Sequence, residues 1–416
     1  MFRLTTARAA VVVLIACALL SGLYFARKSG TNSEVYGNDF SVYYHAAREV
    51  IAGRDPYQRS LGDWTPYIYP PLLAELMVPF ALLPLPVAAY IWFLISAASF
   101  AGSAWMLARL GTQSGFESGE LNQDVVQWRV AIAAVAVIVV LRFILDTFNL
   151  GQVNGLVAGL AVAHLYLYTR GKKAWSAVAL AIAVSIKLTP ALLILYHIAK
   201  LRVKFAVACV ALLAAVTAVS FLPFGADSAG AFRAFADRTL KNQQGYDFAY
   251  AGNQSLRGAV ARFHEGSTPQ AAASEGSRAP AEPVTIMISI VLLAIAVFTA
   301  VRARNELAGA APFFCCMVLL SPLSWKAHYV ILLLPVAHLV SRMRTSGKAW
   351  YMPAAALAVS FAVFNLTSPR LVGIAAAEWA DAHSLVLAGA LIIFVACVAS
   401  AHEKSISLSP ADGDSA

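Results

Sequence analysis

The sequence predicts an all-α polytopic membrane protein, and three observations support that fold class. Of its 416 residues, 60% are hydrophobic and 13% are charged, whereas soluble domains are about 45–50% apolar and about 25% charged. Apolar runs long enough to span a membrane recur from residue 9 to residue 400. They are continuous and lack the alternation of barrel strands, so helices must pair the backbone groups in hydrocarbon. We expect about 10–12 transmembrane helices in one domain over residues 1–404.

Basic residues predict how the chain is oriented in the membrane. Arg3 and Arg8 precede the first apolar run, and Lys and Arg recur in short loops at 170–173, 200–204, 302–304 and 342–348. Such loops are cytoplasmic by the positive-inside rule. Both termini are therefore expected in the cytoplasm, in what we interpret as a bacterial inner (plasma) membrane. The first apolar run continues without a small-residue cleavage site, which favours a retained anchor over a signal peptide.

Charge and cysteine content exclude several classes of function. The basic residues behind the net charge of +9 lie mostly at the ends of apolar segments. This distribution indicates membrane topology and gives no reason to expect binding to nucleic acid. The five cysteines all lie inside apolar segments without a CxxC pair. Neither a disulfide framework nor a metal site is therefore indicated, and no cofactor is expected.

The apolar segment 174–199 lies between two loops that the charge rule places on the same side. It must cross twice as short helices or turn back at depth around the sequence Lys187-Leu188-Thr189-Pro190. Irregular backbone at membrane depth requires surrounding protein or a water-filled cavity. An intramembrane lysine is costly and is usually paired or placed on a ligand pathway. We therefore predict a broken helical pair with Lys187 at a functional position.

Two long loops, 27–86 and 223–283, lie on the opposite, outer side. In the first, apolar residues repeat every three to four positions from Asp39 to Ile51, which predicts an amphipathic helix at the membrane surface. Asp39 can cap this helix, act as a general base, or do both. In the second, residues 264–283 are too poor in apolar side chains to pack, and we expect this stretch and the cytoplasmic tail 405–416 to be disordered.

Polar side chains gather on this same side of the membrane. Gln152 and Asn154 follow a short outer turn, where they make either interhelical hydrogen bonds or substrate contacts. Further clusters are Asn253-Gln254-Ser255 with Arg257, and Ser324-Trp325-Lys326-Ala327-His328. Cations suit a phosphate, tryptophan suits a sugar ring, and amides suit hydroxyls. Tyrosines such as Tyr43 and Tyr69 are more often interfacial anchors, but the one-sided gathering predicts a ligand site at the outer face.

These motifs together resemble glycosyltransferase family 87, polytopic mannosyltransferases of the GT-C superfamily. The matching pieces run in order from residue 38 to residue 329. They are Asp39, Tyr43-Tyr44, Gly53, Pro56-Tyr57, Tyr69-Pro70-Pro71, Gly151-Gln152-Val153-Asn154, Lys187 with Pro190, Asn253-Gln254-Ser255-Leu256, and Ser321-Pro322-Leu323-Ser324-Trp325 with His328. The chain departs from the family pattern at two positions. Tyr329 stands where the family often has a second histidine, and Lys326 is particular to this sequence.

The resemblance implies a GT-C bundle with interfacial helices in the first outer loop, and transfer of mannose from a polyprenyl-phosphate donor to a glycolipid or glycan acceptor. The transfer would invert a β-linked donor to an α-linked product, without metal, at the periplasmic or extracellular face. Asp39 would be the general base. The expected donor phosphate-binding residues are Lys187, Arg257, Lys326 and His328. The expected sugar or acceptor contacts are Tyr43, Tyr69, Gln152, Asn154, Asn253, Gln254 and Trp325.

Other classes of function explain parts of the sequence. A lipid or sugar transporter or flippase would account for Lys187 and the broken helix, but it predicts inverted repeats and polar residues reaching the midplane from both sides. Another type of lipid-linked transferase would need a nucleophile or a metal-ligand cluster, which the sequence does not suggest. A structural protein would have no reason to collect polar groups on one side.

Overall fold

The computed structural model describes residues 20–27, 39–57, 67–113, 123–223, 228–242, 247–267, 281–345 and 347–401. Within these ranges the chain is helical without β-strands, which confirms the all-α prediction. The first half contains α1 (Asp39–Ile51), α2 (Pro71–Leu76), α3 (Val78–Ala81), α4 (Leu85–Gly111), α5 (Gln123–Val139), α6 (Leu141–Leu150), α7 (Asn154–Thr169), α8 (Lys173–Ile186), α9 (Leu192–Ala199) and α10 (Val203–Ser220). The second half contains α11 (Ser228–Asn242), α12 (Leu256–Glu265), α13 (Ala281–Arg302), α14 (Glu306–Leu319), α15 (Leu333–Thr345), α16 (Tyr351–Phe361), α17 (Pro369–Val372), α18 (Ile374–Ala382) and α19 (Leu385–Ser400).

Several helices are long and apolar enough to cross a membrane, so the chain is an integral membrane protein. Among the described residues these are Leu85–Gly111, Val203–Ser220 and Glu282–Arg302. Two bent pairs, α5 with α6 and α18 with α19, are also long and apolar enough if each pair forms one span. The bends between their helices are 61° and 54°. Shorter apolar helices fill the bundle, including α14, in which all residues except the first are buried. The count of ten to twelve spans stays a prediction.

The described part of the first long loop contains α1, α2 and α3, and α1 has the bounds that its apolar periodicity predicts. The helix is more enclosed than a helix resting on a membrane surface, because eight of its thirteen residues are buried. Its aromatic residues Phe40 and Tyr43 pack against Trp92 of α4, with ring centroids 6.1 Å apart in both pairs. This loop therefore forms a small core of its own, continuous with the bundle.

The predicted broken pair is present as α8 and α9, separated by Lys187 and Leu188 and a 3₁₀ turn at Thr189–Ala191. Lys187 ends α8 in an extended conformation, with φ −151° and ψ 127°. Near the start of α8, Ser176 donates a hydrogen bond to the carbonyl of His164 at 2.8 Å. His164 in turn contacts His197, near the end of α9, at 2.9 Å. Both ends of the pair thus lie at one end of the bundle, and Lys187 lies at the tip.

The opposite end of the bundle from Lys187, called here the basic end, is tied together by ionic and backbone contacts. Arg202 forms a bidentate ion pair with Glu306 at the start of α14. Tyr196 donates to the same carboxylate at 2.5 Å. Lys200 donates to the backbone carbonyls of Ala300 and Ala303 at 3.0 and 2.8 Å. These contacts join the end of α9 to the turn between α13 and α14.

Some sequence predictions concern parts of the chain outside the described residues. The start of the first apolar run, residues 268–280 of the stretch predicted to be disordered, and the tail 405–416 all lie there. Four of the five cysteines are described, and each is free and buried: Cys209, Cys315, Cys316 and Cys397.

We expect Glu306→Ala to lower the free energy of unfolding by about 1–3 kcal/mol, because Arg202 and Tyr196 lose their shared charged acceptor. The measurement is thermal unfolding of the purified protein in detergent. Glu378→Ala, which removes an exposed carboxylate from α18, is the control and should leave the midpoint nearly unchanged. Equal midpoints for Glu306→Ala and the wild type would contradict a stabilising role for this ion pair.

Candidate functional site

A continuous chain of side-chain hydrogen bonds joins Asp39 of α1 to Lys187 at the tip of the broken pair. Lys187 Nζ donates to Asn154 Oδ1 at 2.7 Å. Asn154 Nδ2 donates to Gln152 Oε1, and Gln152 Nε2 donates to Asp39 Oδ2 at 2.7 Å. Every donor in this chain lies on the lysine side of its acceptor. The four side chains therefore connect a cation to a carboxylate through two amides whose dipoles reinforce one another.

The local sequence explains how Gln152 reaches Asp39. Helix α6 ends at Leu150 and is followed by Gly151, whose φ of 64° is left-handed. A Cβ at this position would lie 2.6 Å from Phe40 Cβ and 2.7 Å from Phe25 Cζ, so glycine allows α1 to approach the turn. The Gly151 carbonyl also accepts a hydrogen bond from Trp92 Nε1 at 2.9 Å. The turn thus holds Gln152 against the first residue of α1.

Burial raises the pKa of the Asp39 carboxyl above its ordinary value, and this is the largest influence on it. The hydrogen bond from Gln152 and the positive charge of Lys187 oppose this rise. Asp39 therefore holds a proton more readily than an exposed aspartate, while the chain of donors favours its ionised form. A carboxylate in this balance is suited to accept a proton from a hydroxyl.

Lys187 and His328 line the same narrow cavity, which has a volume of about 20 Å³. Asn154 and Thr189 add polar groups to its wall, and the remaining walls are apolar: Val157, Met317, Val318 and Ile331. His328 makes a hydrogen bond with the backbone of Leu323. The Lys187 ammonium has three N–H donors and donates one of them to Asn154. The cavity therefore brings the Lys187 cation and the His328 imidazole together.

Two tyrosines predicted to contact sugar or acceptor lie beside this chain. The Tyr43 hydroxyl donates to the Tyr69 hydroxyl at 3.1 Å, and their rings meet edge to face with centroids 5.0 Å apart. Tyr43 also makes a hydrogen bond with the backbone of Val153 and interacts electrostatically with Asp39. The structure thus brings four other predicted residues, two amides and two tyrosines, together with Asp39 and Lys187. With His328 in the cavity, they form one site.

Asn253 and Gln254 are buried, and backbone groups satisfy most of their polar atoms. Asn253 Nδ2 donates to the carbonyl of Pro322 at 3.2 Å, and its Oδ1 accepts from Ser324 N at 3.1 Å. Gln254 Nε2 donates to the carbonyl of Asp381 at 2.8 Å. These contacts hold the segment that leads to His328. The ring of Trp325, in this segment, lies edge to face against Tyr250 at 5.8 Å.

Two of the cations predicted to bind phosphate lie outside the Lys187 cavity. Lys326 forms an ion pair with Asp381 at 2.5 Å, and Arg257 pairs with Glu282 at the start of α13. Asp381 was not among the sequence-predicted residues. An acidic residue near the end of an apolar segment, in a chain with few acids, was the signal that could have identified it.

Comparison with known proteins gives one family and three curated relatives. The family model of glycosyltransferase family 87 matches residues 67–324. A polyprenol-phosphate-mannose-dependent alpha-(1-2)-phosphatidylinositol pentamannoside mannosyltransferase of Mycolicibacterium smegmatis is 32% identical over 71% of this chain and 67% of its own. A protein of the same description from Mycobacterium tuberculosis is 28% identical over 78% and 70%. A polyprenol-phosphate-mannose-dependent alpha-(1-2)-phosphatidylinositol mannoside mannosyltransferase of Mycolicibacterium smegmatis is 25% identical over 79% and 76%.

We expect Asn154→Leu to lower the free energy of unfolding by about 2 kcal/mol, because both Lys187 and Gln152 lose a hydrogen-bond partner inside the bundle. Thermal unfolding in detergent measures the change. Gln127→Leu likewise replaces an amide by leucine, at an exposed position of α5, and should have little effect. If the two variants unfold at the same temperature, the hydrogen-bond chain does not stabilise the fold.

Proposed function

Because the chain belongs to glycosyltransferase family 87, we propose that it transfers mannose from a polyprenyl-phosphate donor to a hydroxyl of a membrane glycolipid. The three relatives are named for a polyprenol-phosphate-mannose donor and for phosphatidylinositol mannoside acceptors. We therefore propose a phosphatidylinositol mannoside as the class of acceptor. Family membership favours glycosyl transfer over the transporter that the sequence also allowed.

Asp39 acts as the general base in this proposal. The acceptor O–H gives its proton to the Asp39 carboxylate while the acceptor oxygen attacks the anomeric carbon of the donor sugar. The hydrogen bond from Gln152 at 2.7 Å fixes one carboxylate oxygen. The other oxygen is then the one that receives the proton. The hydrogen-bond chain from Asp39 to Lys187 is the observation that supports this assignment most directly.

Lys187 and His328 receive the leaving group. As the bond between the anomeric carbon and the phosphate oxygen breaks, its electron pair stays on the polyprenyl phosphate and negative charge grows there. The Lys187 ammonium, which keeps N–H donors besides the one given to Asn154, is suited to stabilise that charge, because it needs no reorganisation as the charge develops. Base and cation lie at opposite ends of the hydrogen-bond chain, so attack and departure can occur on opposite faces of the sugar. Such a displacement converts a β-linked donor into an α-linked product.

The site lies at the end of the bundle away from the basic loops, and the positive-inside rule supports a position of that end outside the cytoplasm. We therefore propose that transfer occurs at the periplasmic or extracellular face of the inner membrane, with both termini in the cytoplasm. Tyr43 and Tyr69, beside Asp39, are suited to contact the sugar or the acceptor.

We expect Asp39→Asn to reduce transfer of mannose from polyprenyl-phosphate-mannose by a factor of about 10²–10⁴, the usual contribution of a general base. The assay uses purified protein in detergent with a phosphatidylinositol mannoside acceptor and detects the new glycosidic bond. Asp55→Asn changes another aspartate of the same loop, whose Oδ1 accepts from Tyr57 N, and should retain transfer. Equal activity of the Asp39→Asn variant and the wild type would exclude Asp39 as the base.

The acid limb of the pH profile follows from the raised pKa of Asp39. The base works only when ionised, so activity should rise with pH through this pKa, at a pH above the value of about 4 for an ordinary aspartate. Gln152→Leu removes a hydrogen bond that lowers this pKa and should move the acid limb of kcat/KM to higher pH. A limb that stays in place, or moves to lower pH, would contradict the assignment.

A further inference from the structure

A second hollow lies on the other side of the segment that walls the Lys187 cavity. Met317 and Val318 line the cavity, whereas Leu319, Leu320 and Pro322 line a groove of about 380 Å³ against α13. The same short stretch of chain therefore separates the two spaces. The proposed reaction gives the groove no role, because neither Asp39 nor Lys187 lines it.

The groove has apolar walls and a charged mouth. Ile286, Ile290 and Leu293 of α13 form one wall, with the small polar side chain of Ser289 between them. Arg257 lies at the mouth, and its guanidinium sits 3.6 Å from the centroid of the Phe248 ring. The ring holds the guanidinium in place, while its partner Glu282 is largely exposed, with 60% of the side chain accessible. An anion can therefore replace Glu282 at Arg257 without leaving a buried carboxylate.

The depth of the groove matches one leaflet of a bilayer. From Glu282 at the mouth to Leu293 at the far end, α13 rises by about 16 Å at 1.5 Å per residue. Half of the hydrocarbon core of a bilayer is about 15 Å. Ile286 and Ile290 are also more than half exposed on α13, so the groove opens sideways towards lipid. These features suit a lipid that has an acyl chain in the leaflet on the side of the active site and a phosphate at its surface.

We propose that this groove binds the acyl anchor of the acceptor glycolipid, with Arg257 contacting its phosphodiester. The inference rests on the proposed function. In the donor, the phosphate is bonded directly to the anomeric carbon and must lie at the reaction centre, with Lys187 and His328. In a glycolipid acceptor, the whole glycan separates the lipid phosphate from the reacting hydroxyl. A second phosphate site that is walled off from the base therefore fits the acceptor and does not fit the donor.

The experiment combines two variants with two acceptors. Arg257→Gln removes the contact to phosphate, and Ser289→Trp fills the groove. The acceptors are an intact phosphatidylinositol mannoside and its deacylated form, which keeps the phosphate and the glycan. Both variants should raise KM for the intact acceptor about tenfold or more, with KM for the donor unchanged. With the deacylated acceptor, Arg257→Gln should still raise KM and Ser289→Trp should not.

Two control variants test the details. Met287→Trp places the same bulk on α13 at an exposed residue that does not line the groove, and it should leave both KM values unchanged. Glu282→Gln removes the carboxylate that competes for Arg257 and should lower KM for the intact acceptor. A rise in KM caused by Glu282→Gln would show that the ion pair is structural and would overturn the role of Arg257.

A binding measurement separates this inference from the proposed function. Native mass spectrometry of the purified protein with added phosphatidylinositol should show retained lipid in the wild type and less in Arg257→Gln and Ser289→Trp, whether or not transfer is observed. Equal retention in all three proteins overturns the inference and leaves the proposed transfer intact. A rise in KM for the donor in place of the acceptor also overturns it and assigns the groove to the polyprenyl chain.

Discussion

The site depends on how the chain stabilises a lysine placed at the tip of a broken helix among apolar segments. A cation in such surroundings needs compensation. Lys187 obtains it from Asn154 at 2.7 Å, and through Gln152 from Asp39. The same chain gives Asp39 a partner that favours its ionised form. One set of hydrogen bonds thus joins the two charged groups that the proposed transfer uses as base and cation.

Three structural features must coincide for the hydrogen-bond chain from Lys187 to Asp39 to form. The break after α8 brings Lys187 to the tip, because both ends of the α8 and α9 pair are held near His164. The left-handed Gly151 lets α1 pack closely against the turn. The small core of the first loop then fixes the start of α1. At that same basic end, the ion pair of Arg202 with Glu306 joins the α8 and α9 pair to α14.

The few charged residues on the site side are divided among separate places. Lys187 lines the cavity beside Asp39, Lys326 is paired with Asp381, and Arg257 lies at the mouth of the groove along α13. The segment that ends α14 lies between the cavity and the groove. The proposed transfer uses two lipid substrates, which need two separate routes from the bilayer to one reaction centre, and this partition is consistent with that proposal.

The sequence by itself determined the all-α membrane fold, the bounds of α1 and the break at Lys187, because hydrophobic length, helical periodicity and proline act locally. It also identified Asp39, Gln152, Asn154 and Lys187 as candidates, since polar groups in apolar segments need partners. Only the tertiary structure decided that these four side chains form one hydrogen-bond chain. It also decided that Asn253 and Gln254 bond to backbone groups, and that Arg257 and Lys326 lie outside the Lys187 cavity. Those outcomes depend on pairings between residues far apart in the sequence, which periodicity and composition do not encode.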